Sequence, residues 1–295
     1  MQPQTPPDQD ICYEAAFGKH GFFEKRGRVG VLMIHGLSGT PTEMRGLGRS
    51  LAARGLSVGC PELAGHCGSV SMLKSSRWRD WYRSVERAFE AMEQECDEVF
   101  IAGFSAGALI GLILAAKLRE RVAGIALIST TFFLDGWNMR DWKKQLILRT
   151  VIYSPLRHVV AFREPPPYGI KDERMRNKLV SVLEARDSRT ADKIGHFSVP
   201  ATVFRERARL SRKAARVLPT VSCPSLLVHS TEDDFASMKN VDFAAQRLGS
   251  RHVESYVVDD SYHVLPLDKR RHDVAERIAA FCLSVGGHPA QPAGA

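Results

Sequence analysis

Five consecutive residues, Gly103-Phe104-Ser105-Ala106-Gly107, flank a hydroxyl with a glycine two positions away on each side. A serine hydroxyl is a poor nucleophile at neutral pH, so Ser105 does chemistry only if a general base takes its proton and a carboxylate orients that base. Downstream, Glu232, Asp233 and Asp234 supply neighbouring carboxylates, and His263 supplies an imidazole in the run DDSYHVLPLD. Brought together, such groups would attack an acyl carbonyl and return the proton to the leaving group.

The five-residue string is a weak signal alone, and its context strengthens it. Glu98 to Phe104 is an apolar, β-branched run that reads as a strand, and Ala106 to Lys117 reads as the helix that follows. A sharp strand-to-helix turn strains the backbone at its apex, needs small residues beside it, and holds the serine hydroxyl out over the sheet edge. The same alternation runs along the chain. Val29 to His35 is a strand, Thr42 to Arg54 a helix with Met44, Leu47, Gly48 and Leu51 on one face, Ser57 to Cys60 a strand, and Trp78 to Glu93 a helix. Val122 to Thr130, Ser225 to Ser230 and Val253 to Val258 are further strands, with helices around Met238 to Leu248 and from Leu267 to Val285. Nearly continuous apolar strands separated by amphipathic helices predict an α/β fold: a mostly parallel sheet covered on both faces. In such a sheet the loops after the strands gather at one edge, so the loop holding the three acids and the loop holding His263 meet the turn that presents Ser105. A loop histidine is ordinarily solvated and an acidic turn ordinarily caps the next helix. Their place at the carboxyl edge sets these residues apart, and spacing alone leaves Glu232, Asp233 and Asp234 equally open.

The strand-and-helix pattern lapses between residues 131 and 222, which predicts a core over 11–130 and 223–286 with a helical cap inserted at 131–222. Residues 1–10 and 287–295, rich in Pro, Gly and polar residues, are expected to be disordered. The chain of 295 residues carries 41 basic and 33 acidic residues, a balance that suggests a polyanionic partner. Its distribution argues otherwise: 19 Lys or Arg and 9 Asp or Glu fall within 131–222, leaving 22 basic and 24 acidic residues elsewhere. With no recognition motif, nucleic acid is not expected as a partner. The most apolar run, Val99 to Ala116, is interrupted by Gly103, Ser105, Gly107 and Gly111, so no membrane-spanning helix is expected. The N-terminal MQPQTPPDQD lacks the basic and apolar parts of a signal peptide, and the six cysteines have no CxxC spacing. Both point to a cytoplasmic protein without a disulfide scaffold.

The chain resembles the α/β-hydrolase superfamily, in particular its bacterial carboxylesterase and monoacylglycerol lipase branch. The resemblance rests on HGLSGTPTEMRGLGRSLAARG at 35–55, PELAGHCGS at 61–69, GFSAG at 103–107, CPSLLVHSTEDDFAS at 223–237 and DDSYHVLPLDKRRHDVAERIAAFC at 259–282. It implies an α/β-hydrolase fold with an inserted helical cap, Ser105 as nucleophile, His263 as base and then acid, Asp233 as the orienting carboxylate, and an oxyanion hole from the backbone N–H groups of Leu37 and Ala106. Elementary physics agrees for the last: Ala106 opens a helix whose free N–H groups favour negative charge. The chain departs from the branch at Cys67, Ser230 and Tyr262, where glycine is usual. In the family His35 and His66 are structural loop residues, and no ligand spacing around them suggests a metal.

No cofactor is implied. The expected activity is hydrolysis of carboxylic esters with small to medium acyl chains through an acyl-enzyme. The same triad would also serve a thioesterase, amidase or acyltransferase. A non-catalytic module that docks a partner or membrane through a basic cap is the reading from another class. The pocket is expected under the cap, with Phe132, Trp137, Trp142 and Tyr262 as candidate walls and Phe133, Met139, Leu146 and Phe162 as further apolar surface. The cap's positive charge makes it a candidate for peripheral contact with an anionic membrane. Nothing in the sequence sets the oligomeric state.

Overall fold

The computed structural model describes residues 13–139, 141–184, 195–196 and 198–286; both termini expected to be disordered, 1–10 and 287–295, lie outside the described residues. Strands β1 (Phe22–Glu24), β2 (Val29–Ile34), β3 (Ser57–Cys60), β4 (Glu98–Phe104), β5 (Gly124–Ile128), β8 (Ser225–Ser230) and β9 (Val253–Val258) form one seven-stranded sheet. Its order is β1-β3-β2-β4-β5-β8-β9. Every pairing is parallel except β1 with β3, where Phe22 faces Cys60.

Because successive strand side chains point to opposite faces, each strand feeds two cores at once. Leu32, Ile34, Ile101, Ile125 and Leu127 join the core formed with helices α3 (Trp78–Glu93) and α4 (Ala106–Leu118). Val31, Met33, Phe100, Ala102 and Ile128 point the other way, towards α1 (Pro41–Ala52) and α9 (Arg271–Val285). Helix α4 is buried from Ala106 through Ala115, which explains why its sequence shows no polar stripe. Several predicted boundaries match closely; α3, β4, β8 and β9 end where the pattern places them. The last helix instead begins at Arg271, because Asp268 takes up the backbone N–H groups of Tyr262 and Lys269 and holds the preceding residues in turns.

Helix α2 (Val70–Ser75) precedes α3 and helix α8 (Lys239–Ala245) lies between β8 and β9, while the segment between β5 and β8 contains α5 (Trp142–Tyr153), β6 (Ala161–Arg163), α6 (Glu173–Glu184), β7 (Ser198–Pro200) and α7 (Ala201–Val217). Strands β6 and β7 form a two-stranded antiparallel pair that no periodicity announced, since three residues are too few to alternate visibly. Helix α7 is 17 residues long and lies along α4, putting Val203, Leu210 and Ala214 into the main core. The segment is therefore anchored to the sheet layer through its final helix. Among the described residues no helix is long and apolar enough to cross a membrane.

Candidate active site

The turn between β4 and α4 carries Ser105 with φ 54° and ψ −114°, a left-handed backbone that costs a non-glycine residue energy. Two glycines make the turn possible. A Cβ on Gly107 would stand 2.3 Å from the Ile34 carbonyl oxygen, and one on Gly103 would stand 2.5 Å from the Ala108 Cα. The serine amide is tied back to the sheet by donation to the Ile128 oxygen at 2.8 Å. Its hydroxyl meets the His263 Nε2 at 2.9 Å and lies 3.4 Å from the Thr131 Oγ1.

On the far side of the ring, the His263 Nδ1 is 2.8 Å from the Asp233 Oδ2. The other oxygen of Asp233 accepts from the amides of Phe235 and Ala236 at 2.8 and 2.7 Å, which fixes the carboxylate's rotation. Its neighbours do different work. Asp234 accepts from the backbone N–H of His263 at 3.3 Å, while Glu232 turns outward to Lys171 at 2.6 Å. Thus the three acids left open by spacing separate in the fold, and Asp233 is the one against the imidazole. Ser230, where glycine is usual, donates its hydroxyl to the Ser261 carbonyl at 2.5 Å and joins the acid loop to the histidine loop.

Burial pulls the imidazole of His263 towards its neutral form, but the charge and hydrogen bond of Asp233, with Asp234 and Glu164 nearby, outweigh it and hold the pKa above its ordinary value. Asp233 loses solvent too, yet the histidine beside it keeps the carboxylate below its usual range. Burial pushes Asp234 up to about 6.

A loop at 36–39 forms the opposite wall. Glu43, in the first turn of α1, accepts from the Gly36 amide at 2.5 Å, and its carboxylate fills the space that a Cβ on Gly39 would need. Burial raises Glu43 to about 7. Leu37 and Ala106 both border the cavity beside Ser105, and neither backbone N–H has an acceptor among the described residues. His35 lies beneath, accepting from the Leu63 amide at Nε2 (3.3 Å) with Nδ1 3.0 Å from the Gly36 oxygen. Burial lowers its pKa to about 4. His66 packs edge-on to it and to Trp81. Cys67 is buried with an unexceptional φ, so its position does not require the usual glycine.

A family model described as serine aminopeptidase, S33, matches residues 25–270. The chain belongs to that family. This S33 chain is 26% identical over 275 residues to a thermostable monoacylglycerol lipase of Bacillus sp. (strain H-257), covering 93% of this chain and 98% of that protein. It is 21% identical over 263 residues to a carboxylesterase of Bacillus subtilis (strain 168), covering 88% and 94%. Among solved structures it resembles one from a study of LipS and LipT, two metagenome-derived lipolytic enzymes, with a TM-score of 0.72, 25% identity, and 90% and 97% of the two chains covered. The fold is the α/β-hydrolase fold.

Above Ser105 the S33 scaffold opens into a cavity of about 440 Å³. Its walls correct the expectation for the pocket: none of Phe132, Trp137, Trp142 and Tyr262 borders it. Phe132 turns down into the main core against Phe243. Trp137 and Tyr262 pack edge-to-face outside, with the indole N–H on the Glu232 carbonyl at 2.9 Å. Trp142, at the start of α5, is 67% exposed, and Leu146 one turn on is exposed too. Helical spacing shows which residues share a face but not which way the face turns. Met139 and Phe162 do line the cavity, joined by Leu148, Leu179, Phe204 and Phe235.

Several polar wall residues escaped sequence reasoning, among them Glu43, Glu164, Arg207, Lys144 and Arg163. Glu164 sits in the EPPPYG loop, and burial raises it to about 7. Arg207 had a legible signal. It stands one turn from Val203 on the face that also carries Leu210 and Ala214, a charged residue within an apolar stripe. Among the described residues no cluster of three or more His, Cys, Asp or Glu side chains could hold a metal ion.

Proposed function

We propose that the protein hydrolyses carboxylic esters with small to medium acyl chains, monoacylglycerol-like esters among them, through an acyl-enzyme on Ser105. One observation carries the reading: the unbroken chain Asp233–His263–Ser105, with contacts of 2.8 and 2.9 Å, opens into a largely apolar cavity. The family relationship and the lipase and carboxylesterase relatives support it. Ser105 attacks the ester carbonyl while His263 Nε2 takes its proton, and Asp233 holds the Nδ1–H and stabilises the imidazolium. The developing oxyanion accepts from the N–H groups of Leu37 and Ala106. His263 then gives its proton to the departing alcohol, activates a water against the acyl-enzyme, and returns the proton to Ser105 as the acid leaves. Glu43 acts as a positioning residue by clamping the Gly36 amide of the oxyanion loop.

Residues 131–222 act in this reading as the cap over the acyl site. Trp142, Leu146 and Ile147 are exposed on α5 beside Lys143 and Lys144, a pairing of apolar and basic side chains that suits an anionic lipid surface. The five described cysteines are buried, and no disulfide joins them among the described residues, which suits a reducing, cytoplasmic setting.

The test is a p-nitrophenyl ester series from acetyl to palmitoyl, run on the native protein, Ser105→Ala and His263→Ala, with fluorophosphonate labelling in parallel. Native activity and labelling, both lost in Ser105→Ala, are expected, and His263→Ala should lower kcat by about 10³-fold or more. A native protein that neither turns over an ester nor takes the label would overturn the reading.

A further inference from the structure

Arg207 occupies an unusual place. It is 7% exposed, sits within the apolar face of α7 between Val203 and Leu210, and borders the cavity. Its Nη2 donates to the carbonyl oxygen of Thr131, the residue whose hydroxyl lies 3.4 Å from the Ser105 Oγ. Neighbouring arginines of α7 find other partners: Arg209 pairs with Glu206, and Arg205 lies over the Tyr153 ring. Among the described residues Arg207 has no carboxylate partner. Its pKa, lowered by burial to about 10, leaves it protonated at neutral pH. Glu43 and Glu164 also border the cavity, but neither forms an ion pair with it. A guanidinium has five N–H donors, and a single carbonyl leaves most of that capacity unused. Burying a charge without a counter-charge is costly unless something else supplies one.

We propose that Arg207 is a specificity residue that binds an anionic oxygen group, carboxylate or phosphate, carried by the ester substrate near its scissile carbonyl. The inference rests on the ester-hydrolase reading and narrows its substrate class. The planar fork of a guanidinium matches both groups with paired hydrogen bonds. The anion would lie on the Thr131 side of Ser105, on the acyl tail or on the alcohol. In either place it would orient the ester in a cavity whose other walls are largely apolar.

Two matched pairs of substrates test this by pH-stat: monomethyl adipate against methyl hexanoate, which places the charge on the acyl side, and monobutyryl glycerol phosphate against monobutyrin, which places it on the alcohol side. The native protein should favour one anionic ester over its neutral counterpart by about tenfold or more in kcat/KM. Arg207→Met should lower kcat/KM for that ester by about 10- to 100-fold and leave the neutral partner within about threefold, with Arg207→Lys in between. The pair that responds identifies the side. Native protein that labels with fluorophosphonate but prefers neither anionic ester overturns the role of Arg207 alone. So does an Arg207→Lys variant, folded by circular dichroism, that slows charged and neutral esters equally. Absence of both label and ester turnover removes the ester reading, and this inference with it.

Discussion

The sheet edge that carries Ser105, Asp233 and His263 and the segment that roofs it are built on different principles. At the edge, each side chain leaves a loop pinned by neighbouring parallel strands: Ser105 by the Ile128 oxygen, Asp233 by two backbone amides, and the histidine loop by Ser230 and Asp268. The roof has a small core of its own, Val151, Ile152 and Ala201, and otherwise borrows the main core through α7. It leaves Trp142, Leu146, Tyr153, Leu156 and Val159 in solvent. The difference teaches where tolerance lies. If the proposed function holds, a sub-ångström shift at the edge breaks the proton path, whereas a change in the roof's walls alters which substrate fits.

The contrast breaks most visibly at Asp233. Asp233→Asn should lower kcat by about 10³- to 10⁴-fold, through loss of the correct tautomer and of the charge that stabilises imidazolium. The native pKa of His263 is raised, and neutral imidazole is the active form, so the acid limb of kcat/KM should lie above the ordinary histidine value and move to lower pH in the variant. An unchanged limb would show that Asp233 is not coupled to the base.

A roof substitution should act on selectivity. Leu148→Trp, which adds volume to the cavity wall, should move the optimum of the p-nitrophenyl series to shorter chains while leaving acetyl ester turnover within about threefold. Equal loss along the series would mean that the roof also sets catalytic geometry.

Glu43 belongs to the edge but should be read through stability. Its carboxyl is raised from 4.5 to about 7 by burial, so the folded state holds the proton more tightly than the unfolded chain. That contribution is fully present below the unfolded value and is lost as pH rises through about 7. Glu43→Gln keeps an oxygen for the Gly36 amide without the charge, and its Tm should fall less between pH 5 and pH 8 than that of the native protein. Parallel Tm curves would remove Glu43 from the account.

The smallest effect should come from the outer roof. Trp142→Ala should change turnover of a soluble acetyl ester by less than about twofold, since the indole lies outside the cavity. Binding to phosphatidylglycerol vesicles, measured by sedimentation against phosphatidylcholine, should nonetheless weaken. Equal binding by native and variant protein would detach that helix from the lipid surface.

The sequence by itself determined the scaffold, because strand and helix periods are local and the buried strands of a parallel sheet are apolar on both faces. It also determined Ser105 and His263 as candidates, since a Gly-flanked serine between a strand and a helix and a histidine after the last strand are positional signals. The family resemblance already favoured Asp233, but spacing alone did not; the tertiary structure showed how it parts from Glu232 and Asp234, because adjacent residues in a turn point in different directions that spacing does not record. It alone moved Phe132, Trp137, Trp142 and Tyr262 away from the cavity and brought in Glu43, Glu164 and Arg207. An amphipathic pattern states that a face exists, and what that face meets depends on how residues far apart in sequence pack around it.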